Sequence, residues 1–125
     1  YVYEHLRRAA GAVASQISLS RIAGQPATIS PRGNALWDSI VSGIETHTGS
    51  RAVLPTMMTG ATDARFWRAK GTIAYGVGLH DDAIGFGEFL SLFHGRDERV
   101  SIRSVDLTTE LLATVLAGFA TKTGA

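Results

Sequence analysis

The stretch from Val105 to Phe119 carries the most regular pattern in the chain. Its apolar residues recur every three or four positions, which places them on one side of a helix: Leu107, Leu111, Leu112, Val115, Leu116 and Phe119. A stripe with this period is stable only when it is buried against another element. The sequence therefore predicts an amphipathic helix here, packed on a hydrophobic core.

Three further helices are expected. Residues Tyr1 to Ala10 place apolar side chains at helical spacing, and Gly11 supplies a C-terminal stop. Ser30 followed by Pro31 is typical of a helix start, because proline in the first turn loses no hydrogen bond. That helix is expected to end near Gly49, and a brief helix is expected over residues 63–68.

Three segments have the pattern of strands. Residues Ser15 to Ile22 alternate apolar and polar side chains, Ala52 to Leu54 form a short apolar run before Pro55, and Thr72 to Val77 form another run. The stretch from Leu79 to Leu92 is interpreted as a loop. Strands that alternate with helices predict an α/β fold, with helices packed on a mixed sheet.

Composition excludes several classes of protein. With 45% hydrophobic and 18% charged residues, the 125-residue chain is expected to be globular rather than disordered. A formal charge of +1 gives no reason to expect a nucleic acid or an anionic membrane as partner. The absence of cysteine excludes disulfides and thiol chemistry and is compatible with a cytoplasmic location. No apolar run approaches the roughly 18 residues of a spanning helix.

Two short runs carry the residues with the clearest chemical potential. Residues 59–66 read TGATDARF, in which Arg65 follows a turn of small residues, and residues 93–100 read FHGRDERV, in which His94 precedes a glycine among charges. A guanidinium is suited to bidentate capture of a carboxylate. A neutral imidazole nitrogen is suited to binding zinc.

Together, these runs resemble the C-terminal end of the two-zinc family of aminoacylases, glutamate carboxypeptidases and succinyl-diaminopimelate desuccinylases. In that family a G-G-T-D-x-R-like turn helps to hold the substrate, and an H-G-x-D-E-R-like run supplies the last metal-binding histidine. The resemblance implies that His94 is a zinc ligand. Asp97 and Glu98, with Glu98 as the better candidate, could orient it, since a metal-binding histidine usually donates its other N–H to a carbonyl or carboxylate. It also implies that Arg65, with Gly60 and Thr62, contacts the substrate.

The same resemblance implies a wider organisation. Residues 1–30 would end a small α/β lid domain, and residues 31–125 would form the C-terminal part of a catalytic domain. The function implied is zinc-dependent hydrolysis of amide bonds in N-acyl amino acids, small peptides or related amides that carry a carboxylate. A homo-oligomer is expected.

Most of the implied active site has no counterpart in this chain. The family's H-x-D segment, bridging aspartate, glutamate pair and further acidic ligand are all missing. The chain is therefore expected to be the C-terminal portion of an enzyme, to contain no catalytic residue of its own, and to need the missing N-terminal half as its partner. Alone it is expected to be inactive and to bind no zinc tightly, because one histidine cannot close a tetrahedral site.

Other interpretations of the same residues remain open. Arg65 could pair with Asp63, and Asp97 and Glu98 could pair with neighbouring arginines at the surface. The run His80-Asp81-Asp82 is interpreted as a solvated loop, and His47 as a residue placed by the helix dipole. The rival for the whole chain is a non-catalytic α/β interaction or assembly module.

Overall fold

The computed structural model describes residues 1–24, 26–58 and 60–123, so Thr59 at the start of the first motif lies outside the described residues. The chain forms five α-helices and one 3₁₀ helix within that part. The α-helices are α1 (Val2–Ala10), α2 (Ala35–Thr48), α3 (Ala64–Arg68), α4 (Phe86–Leu92) and α5 (Ile102–Thr123), and the 3₁₀ helix spans Gly11–Gln16.

The predicted α/β fold is wrong, because the described residues contain no strand and form an all-helical domain. The mixed sheet, the α/β lid and the α/β form of the rival module are wrong for the same reason. Residues 15–22 begin within the 3₁₀ helix, while residues 52–54 and 72–77 have no ladder partner. Alternation of side chains sets which side of an extended segment is apolar, but a sheet also needs a second strand beside it.

The predicted helices agree with the structure better than the predicted strands do. Helices α1, α2, α3 and α5 lie where the periodicity placed them, and α1 and α2 end at Gly11 and Gly49, which have φ of 55° and 72°. Such positive φ values favour glycine. The predicted start of α2 at Ser30 is wrong: the N-cap is Asn34, whose side-chain oxygen accepts a hydrogen bond from the Trp37 N–H at 3.1 Å.

The core lies between α2 and α5. Ile40 of α2 and Leu111 and Val115 of α5 are the buried apolar residues, and Leu111 is fully buried. Gly43 lets the two helices approach, since a Cβ atom there would lie 2.9 Å from Val115 Cγ2. Partly buried apolar residues surround this contact: Leu36, Ile44, Tyr75, Val77 and Leu79.

An extended segment over residues 72–80 lies against this helix pair. Its residues Tyr75, Val77 and Leu79 alternate onto the core, as a strand would. Side chains hold the backbone in place of a neighbouring strand. The Ser30 hydroxyl accepts from the N–H of Ala74 at 3.0 Å and donates to its carbonyl at 3.1 Å.

A second hydroxyl holds the other end of this segment. Thr108 Oγ1 on α5 accepts from the Leu79 N–H at 3.2 Å and donates to the Leu79 carbonyl at 2.8 Å. Between these two anchors, the backbone N–H and C=O groups of residues 75–78 make no hydrogen bond with another described residue. The alternating apolar side chains therefore pack against helices, while the backbone donors and acceptors of residues 75–78 have no partner among the described residues.

His47 does more than complement a helix dipole. Its Nε2 lies 3.1 Å from Thr114 Oγ1, and that hydroxyl donates to the carbonyl of Glu110 at 2.9 Å. Which of the two groups donates depends on the tautomer of His47. The contact joins α2 to α5 beside the core.

The N-terminal helices stand apart from the other helices. Helix α1 contacts the 3₁₀ helix that follows it, and neither packs on another described helix. The predicted division between residues 1–30 and 31–125 stays a prediction. No helix in the described part of the chain is long and apolar enough to cross a membrane.

Candidate functional site

Arg65 lies on α3, directly after the small-residue turn. Its Nε is buried and has no hydrogen-bond partner among the described residues, and its guanidinium carbon lies 4.7 Å from the centre of the Phe66 ring. A buried donor without an acceptor costs about 1–3 kcal/mol. The Arg65 guanidinium therefore lies beside an aromatic ring, and its Nε donor has no acceptor among the described residues.

The alternative partner for Arg65 is not used. Asp63 occupies the N-cap position of α3, but its side chain makes no capping hydrogen bond and forms no ion pair with Arg65. The pairing with Asp63 is thus absent from the structure. Arg65 therefore has no ion pair among the described residues.

The turn before Arg65 is only partly available to a ligand. Gly60 and Thr62 are exposed, as contact with a substrate would require. However, the Thr62 hydroxyl accepts from the Ala64 N–H at 3.0 Å, and its carbonyl accepts from the Arg65 N–H at 3.2 Å. These bonds fix the turn and occupy two of the backbone donors that could have faced an anion.

His94 lies in the turn after α4, with an exposed side chain and a φ of 54°. A positive φ is uncommon for residues other than glycine, although histidine adopts it more often than most. No hydrogen bond, ion pair or ring contact joins His94 to Glu98 or to Arg65 within the described residues. The two motifs therefore present separate side chains here and do not form one joined site.

The carboxylates beside His94 are not paired as the surface interpretation expected. Arg99 approaches the carboxylate of Glu88 at 3.3 Å and donates to the backbone carbonyl of Asp97 at 3.2 Å. Neither the Asp97 nor the Glu98 carboxylate has an ion pair in the described structure. Glu98 instead lies on the wall of a cleft that His94 does not line.

The described residues do not fit a complete zinc site. They contain no group of three or more histidine, cysteine, aspartate or glutamate side chains that could hold a metal ion. A structural or catalytic zinc needs at least three protein ligands. His94 could contribute one ligand, so no step of a zinc reaction can be assigned to this chain by itself.

The sequence interpretation missed a cleft of about 370 Å³ between α4 and the start of α5. Its apolar walls are formed by Ile84, Phe89, Leu92, Phe93 and Val100. The predicted loop over residues 79–92 is wrong for residues 86–92, which form α4. The spacing of Phe86, Phe89 and Phe93 at i, i+3 and i+7 is the signal that could have revealed this helical face.

The loop over residues 80–82 is anchored and not simply solvated. The His80 ring centre lies 3.8 Å from that of Phe89, and the Asp81 N–H donates to the Ser104 hydroxyl at 2.9 Å. The Asp81 carboxylate also lies 3.7 Å from Arg103 Nε and accepts from the Ala83 N–H at 3.1 Å. His80 therefore lines one side of the cleft, and the bonds of Asp81 fix the loop next to it.

No protein-family model matches the chain, and it shows no significant similarity to a curated protein or to a solved structure.

Proposed function

We propose that this chain contributes one zinc ligand and one substrate contact to an amide-bond hydrolase acting on N-acyl amino acids, small peptides or related amides. His94 is the ligand, and Arg65 binds the carboxylate of the substrate. The remaining ligands come from polypeptide outside this chain. The two motifs support this proposal, which does not include the fold of the family that they resemble. We also propose that the protein lies in the cytoplasm.

The unpartnered donor of Arg65 carries this proposal. A buried N–H without an acceptor is costly, and a charge-assisted bond to a carboxylate would offset that cost. The contact with Phe66 limits the motion of the guanidinium, which reduces the entropy lost when an anion binds. Gly60 and Thr62 are exposed beside it and leave room for the ligand.

The exposed turn at His94 supports the other half of the proposal. Its imidazole makes no hydrogen bond with another described residue that would have to break before a metal could bind. When zinc is held jointly with ligands from elsewhere, it supplies Lewis-acid chemistry to the reaction. Glu98 would orient His94 only if the turn rearranged, because the glutamate faces the cleft.

The first test is the reading frame that contains this sequence. We expect it to encode an H-x-D segment and an adjacent glutamate pair upstream of Tyr1. A natural polypeptide without any further histidine or acidic ligand cluster would contradict the proposal, because a single histidine cannot hold a catalytic zinc.

In the complete enzyme, Arg65→Ala and His94→Ala are expected to have different effects on zinc content and kinetics. Loss of Arg65 removes a bond to a charged group worth about 1.5–3 kcal/mol, so kcat/KM should fall roughly 10- to 100-fold with zinc content unchanged. Loss of His94 removes a ligand, so zinc content and kcat should fall together. Metal analysis and steady-state kinetics measure both effects.

Two exposed residues provide matched controls for these variants. Arg51 is paired with Glu45 at the surface, and His5 lies on α1. Arg51→Ala and His5→Ala should leave zinc content and kinetics unchanged. Full zinc occupancy with normal kcat in the His94 variant would refute its assignment as a ligand.

A second candidate function is an assembly module without catalysis, and exposed apolar surface favours it. Leu54 and Met57 are 84% and 82% exposed, and the backbone N–H and C=O groups of residues 75–78 make no hydrogen bond with another described residue. Contiguous exposed apolar surface commonly marks an interaction site. In this case the partner would be a second copy of the chain.

We expect self-association that increases with concentration in sedimentation velocity, because association would remove these side chains from water. Leu54→Glu combined with Met57→Glu should shift the chain toward the monomer. Thr56→Glu, which adds a charge between them without removing apolar surface, should have a smaller effect. A monomer at all concentrations would exclude this candidate.

A further inference from the structure

We propose that the cleft between α4 and the start of α5 binds a small ligand with an aromatic body and a cationic head group. The apolar wall formed by Phe89, Phe93 and Val100 receives the body, and the Glu98 carboxylate receives the head group. This inference goes beyond the proposed hydrolase and does not depend on it.

The size and lining of the cleft suit a small molecule. Binding pockets usually enclose roughly 300–1,000 Å³ and combine apolar walls with a few polar groups. A cavity of about 150 Å³ already admits benzene. The cleft of about 370 Å³ therefore has room for a bicyclic aromatic group with a short head group.

The aromatic wall is organised around Phe89. Its ring centre lies 3.8 Å from that of His80 and 4.8 Å from that of Phe93, with the two phenylalanine rings at 83° to each other. Edge-to-face pairs of this kind hold rings in defined positions. Phe93 and Val100 remain 50% and 65% exposed, so a ligand would bury apolar surface that this fold leaves in water.

Most polar groups in the cleft already have partners. The Ser104 hydroxyl accepts from the Asp81 N–H at 2.9 Å, and the Ser101 hydroxyl donates to Ser104 Oγ at 2.9 Å while it caps α5 by accepting from the Ser104 N–H at 3.0 Å. These hydroxyls stabilise the start of α5 and do not select a ligand.

The charge on the cleft wall determines which class of ligand head group the cleft can bind. The Arg99 guanidinium is neutralised by the Glu88 carboxylate at 3.3 Å, whereas the Glu98 carboxylate has no ion pair among the described residues. Glu98 is thus a cleft-lining carboxylate without an ion pair in the described part of the chain. A cation placed there gains a Coulomb interaction and can also face the electron-rich side of Phe93 or Phe89.

Three indole compounds with the same ring test this proposal: tryptamine, uncharged 3-ethylindole and indole-3-propionate. Titration of the ¹⁵N-labelled chain should shift the amide signals of residues 89–101. We expect tryptamine to bind about fivefold more tightly than 3-ethylindole, the preference that an exposed ion pair can supply. Indole-3-propionate should bind most weakly.

Glu98→Gln should remove the preference for tryptamine while 3-ethylindole binds as before. Glu98 is exposed, so this variant keeps the fold, and Glu4→Gln on α1 serves as a remote control that keeps the preference. Val100→Lys, also at an exposed position, should favour indole-3-propionate instead.

Three results would overturn the proposal. They are amide shifts outside the cleft, equal affinity for all three compounds in the unmodified chain, and shifts of the cleft signals on dilution without ligand. The last result would assign the cleft to contact between two copies of the chain.

Discussion

Replacing Leu111 by alanine is expected to lower the free energy of unfolding by about 2–5 kcal/mol. Leu111 is fully buried in the α2–α5 contact, where it packs with the buried residues Ile40 and Val115, so its truncation would leave a cavity in the small core of the described structure. Because domains unfold with about 5–15 kcal/mol, this loss should leave the variant marginal or unfolded. Urea denaturation followed by far-UV circular dichroism measures the change.

Leu116 provides the matched control for this experiment. It lies on the same helix and differs from Leu111 mainly in its exposure of 66%. Leu116→Ala should change the free energy of unfolding by less than about 0.5 kcal/mol. Equal losses in both variants would show that the packing of α2 on α5 does not hold the domain together.

Gly43→Ala and Gly118→Ala are expected to change stability in opposite directions. Alanine is favoured over glycine by about 1 kcal/mol inside a helix. At Gly43, however, the new Cβ would lie 2.9 Å from Val115 Cγ2 and 3.1 Å from Leu111 Cδ1. Valine is stiff in a helix, so overpacking of about 1–3 kcal/mol should outweigh the helical gain.

At Gly118 the nearest atom is Ser39 Oγ, at an ordinary contact distance of 3.9 Å. Gly118→Ala should therefore retain much of the helical gain and raise the free energy of unfolding by up to about 1 kcal/mol. The same urea titrations compare the two variants. Stabilisation by both would mean that α2 and α5 can separate slightly without cost.

The candidate site was predictable only in part. The motifs single out Arg65 and His94 because of the residues beside them in sequence, and neither has a polar side-chain partner in the part of the chain that the structure describes. The cleft that contains Glu98 was missed, because its walls come from α4, the 80–84 loop and the start of α5. Proximity of such separated segments cannot be read from local spacing.

The sequence by itself determined the helices whose signals are local. The period of apolar residues in α5, and the glycines that end α1 and α2, act within a few positions, so neighbouring residues suffice to specify them. The start of α2 depended on which of two capping residues, Ser30 or Asn34, was used. That choice followed from tertiary contact, since Ser30 is buried against Ala74 instead.

Only the tertiary structure decided what the extended segments do. The sequence of Thr72 to Val77 predicted a strand, but it contains no information about the partner that this extended segment contacts. Here α2 and α5 cover the side chains of Tyr75 and Val77, and the hydroxyls of Ser30 and Thr108 bind the backbone at either end. An extended segment can bury its apolar side chains against some elements and form its backbone hydrogen bonds with others. Here those partners are remote in sequence.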